Sequence, residues 1–202
     1  MAMLWVLVDK PRFPDRAWMF LGDVARHVDG VLVRDQAGSP RDLLALGEHV
    51  RSLIGRIPLW VDGDLAVALA LDAEGLHLPA RHLPARQLRR YWPKLLSAAV
   101  HNLTEFADHR DADVLVWGHV FETRSKPGVA PRPRDGLAGI LAAATGPVLA
   151  IGGITGETIG RLNGLCFDGV VVSDGIWSGA NPVEAAENLA RTVKEMTKRR
   201  RL

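Results

Sequence analysis

The chain has 202 residues, of which 48% are hydrophobic and 24% are charged. This length fits one domain, and the hydrophobic share is enough for a buried core, which excludes a disordered protein. The single cysteine excludes an intramolecular disulfide framework and a multi-cysteine metal site. No stretch approaches about 18 apolar residues without a charge, and the opening apolar segment is too short for a signal peptide, so we expect a cytoplasmic protein.

The net charge is small and is concentrated near the C-terminus. The chain has 25 Lys and Arg residues against 23 Asp and Glu residues, a formal charge of +2. Four of the basic residues occupy positions 198–201, and without them 21 basic residues face 23 acidic ones. Such a run can bind nucleic acid or an acidic partner, but it is more typical of the solvated last turn of a helix. We therefore expect one domain over residues 1–197, followed by a basic tail at 198–202.

Short segments rich in Val, Leu, Ile and Trp recur along the chain, and each precedes a longer amphipathic stretch. Continuous hydrophobicity of this kind is typical of strands buried on both faces in a parallel sheet. The predicted strands are Leu4–Asp9, Gly30–Arg34, Pro58–Asp62, Gly75–Leu78, Leu95–Val100, Asp113–Gly118, Pro147–Gly152 and Gly169–Ser173. The predicted helices are Arg16–His27, Pro40–Ile54, Asp64–Asp72, Pro84–Trp92, Leu103–His109, Asp135–Thr145, Gly156–Leu162 and Pro182–Lys198.

Eight predicted strands alternate with eight predicted helices, with no shift in composition that would mark a domain boundary. An open doubly wound sheet and a closed barrel both accommodate this order, and the number eight favours a compact (β/α)8 TIM barrel. The connection His119–Arg134 is polar, rich in proline and too long for an ordinary loop. Because long loops in compact domains are usually functional, we expect this segment to contribute to a site.

The C-terminal ends of the strands carry polar residues, whereas the strand interiors are apolar. In a (β/α)8 barrel these ends form one face, and active sites lie there. The residues at the predicted ends are Asp9, Arg34, Asp62, His77, Leu78, His101, His119, Gly152, Gly153 and Ser173. We expect them to surround one pocket.

The seventh and eighth predicted strands end in turns that suit an anion. Gly152 and Gly153 follow the seventh strand, and Val172 and Ser173 close the eighth. Glycines let backbone N–H groups approach a phosphate closely, and barrels often bind phosphate after these two strands. We predict a phosphate site here, although the same glycines would also serve tight turns without a ligand. The chain has no glycine motif for nucleotide binding.

The sixth predicted strand ends in a histidine followed by hydroxyl groups and cations. His119 suits acid–base catalysis because imidazole titrates near neutral pH. Thr123, Ser125 and Lys126 can bind a substrate carboxylate or phosphate. The alternative is a histidine that caps the strand and a solvated basic loop, and we favour the functional interpretation.

Two further residues fit the same pocket by their positions at strand ends. Arg34 can neutralise a substrate anion or pair with an acidic neighbour, and the sequence does not separate these roles. His101 is a candidate substrate-binding residue, but a hydrogen-bonded structural histidine is the more frequent case.

Three strings of residues carry a family resemblance: Gly-His-Val-Phe-Glu-Thr at 118–123 with Lys126, Ala-Ile-Gly-Gly-Ile at 150–154, and Gly-Val-Val-Val-Ser at 169–173. Weaker matches are Val-Leu-Val-Arg-Asp at 31–35, Glu-Gly-Leu-His-Leu-Pro at 74–79 and Ala-Val-His-Asn-Leu-Thr-Glu at 99–105. Together they resemble the thiamine phosphate synthase/TenI superfamily over nearly the whole chain. The first string is most similar to the TenI-type thiazole tautomerases, because the synthases usually carry Gly-Pro-Val/Ile-Phe-x-Thr-x-Thr-Lys there.

The resemblance implies a (β/α)8 barrel that acts on a thiazole phosphate in thiamin biosynthesis. In a tautomerase, His119 would move a proton from the ring carbon bearing the carboxylate to the exocyclic carbon. Residues on the carboxylate side would be Thr123, Ser125 and Lys126, and the phosphate would lie against Gly152, Gly153, Val172 and Ser173. We therefore expect an isomerase, a thiazole tautomerase, with a small-molecule substrate and with neither a metal nor a cofactor.

The resemblance also implies an alternative, a thiamine phosphate synthase. Synthases bind an aminopyrimidine pyrophosphate with Mg²⁺ and carry Asn-Asp-Arg and Gly-Gln-x-Asp after the third and fourth strands. This chain instead has Asp62-Gly63-Asp64 and Leu78-Pro79-Ala80-Arg81, and it has Ala99-Val100-His101 in place of Ser-x-His. Several residues that form the pyrophosphate site of the synthases are therefore replaced in this chain, so the synthase ranks second.

A third hypothesis is a non-catalytic barrel that binds a phosphorylated ligand and acts as a regulator, motivated by the basic tail and the altered synthase motifs. No helix-turn-helix pattern is present, so we do not expect a nucleic-acid partner. We expect no membrane partner, and we include a homodimer among the expectations.

Overall fold

A computed structural model describes residues 2–133 and 136–199, and within them eight parallel strands close into one barrel. The strands are Met3–Asp9 (β1), Gly30–Arg34 (β2), Leu59–Asp62 (β3), Gly75–Leu78 (β4), Leu95–Val100 (β5), Val114–Gly118 (β6), Val148–Ile151 (β7) and Gly169–Val172 (β8). Each strand pairs with the next, and β8 pairs with β1. The predicted (β/α)8 barrel is confirmed. The predictions that involve Arg134, Asp135 and the tail beyond residue 199 lie outside the described residues.

Several helices on the outside of the barrel are shorter than predicted, whereas α2 and α5 match their predicted bounds and α8 ends one residue later. They are Leu21–Ala25 (α1), Pro40–Ile54 (α2), Leu65–Ala70 (α3), Ala85–Leu88 (α4), Leu103–His109 (α5), Leu137–Ala143 (α6), Asp174–Trp177 (α7) and Pro182–Arg199 (α8). The predicted helix Gly156–Leu162 is only a 3₁₀ turn, Ile159–Leu162. Glycines at 156, 160 and 164 explain this difference, because glycine disfavours a continuous helix. Among the helices described, none combines the length and the apolar character needed to cross a bilayer.

The bounds of helix α2 were predicted correctly because local sequence signals mark its start. Ser39 accepts a hydrogen bond from the backbone of Asp42, and the Asp42 side chain accepts one from the Ser39 backbone. Pro40 occupies the first helical position, where its missing N–H costs nothing. This capping box fixes the start of the helix, and the buried side chains on one face hold it against the barrel.

Large apolar side chains fill the interior of the barrel. The group comprises Met3, Trp5, Leu7, Leu32, Trp60, Val114, Val116, Leu149, Ile151 and Val171. The Trp5 and Trp60 rings lie with their centroids 4.2 Å apart. Gly75 leaves the room that Trp60 needs, since a Cβ atom at Gly75 would lie 2.0 Å from the Trp60 ring. The interior is thus a packed core, and a ligand site is confined to the C-terminal face of the strands.

A polar layer covers this core at that face. Strands β1, β2 and β3 each end two residues after an inward-facing apolar side chain, so their last side chains also face inward. These last residues are Asp9, Arg34 and Asp62. The strand register sets Asp9 beside Arg34 and Asp62 beside His77. The same alternation that packs the core therefore brings charged groups to one end of the barrel.

We predict that Gly75→Ala destabilises the barrel. The added methyl group would overlap the Trp60 ring, and overpacking of this kind lowers the free energy of unfolding by about 1–3 kcal/mol. Urea denaturation followed by tryptophan fluorescence measures the change.

The matched control is Gly156→Ala, since a Cβ atom there would meet no heavy atom within 4 Å. Its free energy of unfolding should change by less than about 0.5 kcal/mol. Equal effects of the two substitutions would show that the interior does not depend on space at Gly75.

Candidate active site

One carboxylate at the end of β1 holds two arginines. Asp9 accepts hydrogen bonds from Arg34 Nε and Nη2, each at 3.1 Å, and it also accepts one from Arg12. Burial acts to raise the pKa of Asp9, but the two guanidinium groups outweigh it and hold the pKa below the usual value. Of the two roles predicted for Arg34, the pairing with an acidic neighbour is therefore present. Its side chain is still 20% exposed, so it can also contact a ligand.

On β4, the register places a buried histidine beside Asp62 at the same end of the barrel. His77 Nδ1 lies 2.8 Å from the hydroxyl oxygen of Ser97 on the neighbouring strand. Burial lowers the pKa of His77 to about 3, and the charges of Arg34 and His109 act in the same direction. Sequence reasoning missed Ser97, although a serine within the apolar strand β5 was a usable signal.

His101, at the end of β5, is held by a glutamate one helical turn later. Glu105 Oε2 accepts a hydrogen bond from the His101 backbone N–H and lies 2.8 Å from His101 Nδ1. Burial lowers the pKa of His101 and Glu105 acts to raise it, while Lys126 and Arg132 lower it further. His101 is thus a hydrogen-bonded histidine beside two cations. Glu105 was missed by sequence reasoning, but its spacing of four residues from His101 on a helix was the available signal.

The segment after β6, which we call the β6 loop (residues 119–133), folds back over its own first residue. The backbone N–H of Arg132 donates to the carbonyl of His119 at 2.9 Å. His119 is only 3% exposed, and its Nε2 lies 3.1 Å from the Val129 carbonyl oxygen. Its Nδ1 is buried and has no hydrogen-bond partner among the described residues. His119 therefore lies beneath the loop and does not face an open pocket.

The other predicted residues of the β6 loop form a turn at its surface. Thr123 and Ser125 share a hydrogen bond of 3.1 Å between their hydroxyl oxygens, and the Lys126 N–H donates to the Thr123 carbonyl. Lys126 lines an open groove of about 540 Å³ on this loop. Burial lowers the pKa of its ammonium group, and the charges of Arg132 and Arg34 lower it further.

The turn after β7 is partly exposed and packs closely against the β6 loop. Gly152 and Gly153 adopt φ values of 100° and 66°. A Cβ atom at Gly152 would lie 2.2 Å from the His119 Cβ, and one at Gly153 would lie 2.2 Å from the Glu122 carbonyl oxygen. Loop packing thus gives these glycines a role without a ligand. The phosphate site at these turns stays a prediction.

Val172 and Ser173 lie at the end of β8, beside the same turn. Val172 is buried, and Ser173 precedes the four-residue helix α7 without a side-chain hydrogen bond to it. A Cβ atom at Gly175 would lie 2.1 Å from the carbonyl oxygen of Ile154 in the segment after β7. The segments after β6, β7 and β8 are therefore packed in series along one side of the face.

Six of the ten predicted site residues fall into two groups. Arg34, His101 and Lys126 interact through their charges at the mouth of the barrel. His119, Gly152 and Gly153 pack together under the β6 loop. Sequence reasoning missed Arg132, which joins the first group, because its position depends on how far the loop folds back.

Comparison with known proteins identifies the family. The thiamine monophosphate synthase family (TMP-TENI) matches residues 21–176. The thiamine-phosphate synthase of Methanobrevibacter smithii is 31% identical over 173 residues, 83% of each chain. That of Chloroflexus aurantiacus is 33% identical over 178 residues, 85% of this chain and 82% of that protein. A solved structure of thiamine phosphate pyrophosphorylase from Pyrococcus furiosus superposes with a TM-score of 0.81 at 25% identity, covering 96% of both chains.

These findings correct the prediction of a thiazole tautomerase and of an isomerase. That prediction relied mainly on the six residues 118–123, whereas the similarity to proteins named thiamine-phosphate synthase extends over 83% and 85% of the chain. The structure gives a physical reason as well, because the histidine in the short string is covered by its own loop. The resemblance to the superfamily is confirmed: the chain belongs to the thiamine monophosphate synthase (TMP-TENI) family.

Proposed function

We propose that this protein is a transferase that forms thiamin phosphate from an aminopyrimidine pyrophosphate and a thiazole phosphate. The thiazole ring nitrogen attacks the methylene carbon of the pyrimidine, and a C–N bond forms. The C–O bond to pyrophosphate breaks, and its electron pair leaves with the pyrophosphate. The observation that carries the proposal is the similarity to proteins named thiamine-phosphate synthase over most of the chain.

The cations at the mouth suit this chemistry. Negative charge develops on the pyrophosphate as the C–O bond breaks, and preorganised positive groups stabilise it at that moment. Arg34 and Lys126 interact through their charges, and both are incompletely exposed, which strengthens their interaction with an anion. We propose that they contact the pyrophosphate, and that His101 lies beside it.

The second substrate would occupy the opposite side of the face. We propose that backbone groups of Gly152, Gly153, Val172 and Ser173 hold the thiazole phosphate, and that Thr123 and Ser125 contact the thiazole. Support comes from their location at the carboxyl ends of β6, β7 and β8, which are packed together.

Mg²⁺, which synthases of this family use, fits poorly with the residues present. Among the described residues, no group of three His, Cys, Asp or Glu side chains is arranged to hold an ion. The carboxylate of Asp9 is already engaged by Arg34 and Arg12. Burial raises the pKa of Asp62 to about 6; Arg34 acts to lower it and Asp9 to raise it. A single carboxyl group is a weak site for Mg²⁺, so no step of the reaction is assigned to a metal.

Several predictions about the whole protein stay predictions. They are the cytoplasmic location, the homodimer, and the division into a barrel at 1–197 and a tail at 198–202. The non-catalytic alternative relied partly on that tail, whose side chains lie outside the described residues. Mass measurement in solution would test the homodimer.

We predict that Lys126→Ala impairs the transferase. Loss of a charge-assisted contact to the leaving group should lower kcat/KM by about 10- to 100-fold. Thiamin phosphate formed by the purified protein from the two substrates, separated by chromatography, measures this.

Arg110→Ala is the matched control, because Arg110 is an exposed cation at the end of α5. It should retain the wild-type rate. If the wild-type protein forms no thiamin phosphate, with or without Mg²⁺, the proposed function is wrong.

We also predict that Asp62→Asn stabilises the protein above pH 6. The pKa of about 6 in the folded protein lies above the usual aspartate pKa of 3.8, so the carboxyl group of the unfolded chain ionises first as the pH rises. Stability is therefore lost between these two values, and the amide avoids this loss. At pH 8 the variant should be more stable by up to about 3 kcal/mol.

Urea denaturation at pH 4, 6 and 8 tests this, and the advantage of the variant should vanish at pH 4. The control Asp111→Asn removes an exposed carboxylate and should show no such trend. An advantage for Asp62→Asn that is equal at all three pH values would contradict the argument.

A further inference from the structure

His119, at the start of the β6 loop, holds the returning part of that loop at two points. Its backbone carbonyl accepts a hydrogen bond from the Arg132 N–H at 2.9 Å, and its ring Nε2 lies 3.1 Å from the Val129 carbonyl oxygen. A Cβ atom at Gly152 would lie 2.2 Å from the His119 Cβ, so the turn after β7 fixes the base of this side chain. A rigid part of the barrel therefore carries the ring that contacts the loop.

The ring of His119 has no nitrogen left for a substrate. A carbonyl oxygen only accepts hydrogen bonds, so Nε2 must carry the hydrogen that it donates to Val129. Nδ1 is then the nitrogen without a hydrogen; it is buried and has no partner among the described residues. Because one nitrogen is occupied by the loop and the other is enclosed, the imidazole is placed to hold the loop and not to exchange protons with a ligand.

A series of hydrogen bonds leads from this contact to the polar side chains of the loop. The Val129 N–H donates to the Lys126 carbonyl at 3.2 Å, and the Lys126 N–H donates to the Thr123 carbonyl at 3.0 Å. The Thr123 hydroxyl oxygen lies 3.1 Å from that of Ser125. The position of Val129 is thus coupled through the backbone to the turn that contains these hydroxyl groups.

The contact between His119 and Val129 is the main polar attachment of this part of the loop. In the part of the chain that the structure describes, no other hydrogen bond connects residues 124–131 with the chain before residue 123 or after residue 131. The Val129 side chain is 48% exposed, so burial of that side chain does little to hold the segment. Without the ring, this segment would be free to move away from the end of β6.

We propose that His119 is a positioning residue for the transferase: its Nε2–H holds the β6 loop in place and so orders the turn that contains Thr123 and Lys126. This inference rests on the proposed function, because these loop residues are the ones proposed to contact the substrates. His119 itself neither touches a substrate nor moves a proton. Loss of its contact should impair the binding and alignment of the substrates, because a displacement of about 1 Å can lower a rate by about 100-fold.

Two amide substitutions distinguish the two nitrogens of the ring. In His119→Gln the amide nitrogen lies as many bonds from Cβ as Nε2 does, so it can donate to Val129. In His119→Asn it corresponds to Nδ1 and falls short of that carbonyl. A third variant, His119→Leu, fills the buried space without any donor, and it keeps the test valid if His119→Asn does not fold.

Hydrogen exchange of the full-length protein, measured by mass spectrometry without substrates, reports the order of the loop. Peptides from residues 119–133 should exchange at least about tenfold faster in His119→Asn and His119→Leu than in the wild type, and within about twofold of it in His119→Gln. Peptides from the strands should keep their protection, which shows that each variant is folded. The matched control is His49→Asn, because His49 is an exposed histidine of α2; it should leave the loop unchanged.

Thiamin phosphate formation by the same variants tests the kinetic role. His119→Asn should lower kcat/KM by at least about tenfold, mainly through a higher KM for the thiazole phosphate. His119→Gln should stay within about threefold of the wild type and keep the same pH dependence, because an amide can replace a donor but not a group that transfers protons. His49→Asn should retain the wild-type rate.

The positioning role and the proposed function can fail separately. Exchange in His119→Gln that is as fast as in His119→Asn would show that Nε2 does not hold the loop. An inactive His119→Gln with a protected loop would show that the imidazole itself is required, which also overturns the proposal. If exchange follows the expected order but the wild type forms no thiamin phosphate, His119 still orders the loop and the transferase proposal fails.

Discussion

The close approach of the β7 turn to the β6 loop determines the shape of the ligand face. Only glycine fits at 152 and 153, because a Cβ atom at either position would overlap the chain that follows β6. Two backbone hydrogen bonds, from Val120 to Ile151 and from Phe121 to Gly152, continue the pairing of the strands into this loop. The loop therefore leaves the barrel in a fixed direction. Its return to His119 then sets where its cations lie.

The apolar core confines charged side chains, and so the reaction, to the C-terminal ends of the strands. Trp5 and Trp60 occupy the interior because glycines on neighbouring strands make room for their rings. Charged residues are thereby limited to the last inward position of each strand, where they are partly desolvated. Desolvation strengthens the interactions of Asp9 and Arg34 with each other, and it disfavours the ionised form of Asp62. The electrostatics of the face thus follow from the packing beneath it.

The sequence was sufficient to predict the barrel and to place the strand bounds to within one residue, because buried parallel strands are marked by continuous apolar runs. The pairing of Arg34 with an acidic neighbour was one of two roles that the sequence left open, and the structure shows that pairing with Asp9. Helix lengths were overestimated where glycines interrupt them, as at 156–162. The burial of His119 could not be predicted, because it depends on a hydrogen bond to Arg132, thirteen residues later, in a loop without regular structure.

The short string at 118–123 misled the functional prediction because it was interpreted apart from its surroundings. A histidine at a strand tip is available for proton transfer only if a substrate can reach it, and here the Val129 carbonyl and the returning loop cover the ring. The charged residues at this face instead come from separate segments, and they include the cations Arg34 and Lys126. Repulsion among such cations is relieved by a ligand of opposite charge, whatever reaction follows. The charges at this face therefore indicate the kind of ligand more directly than the string at 118–123 indicates the reaction.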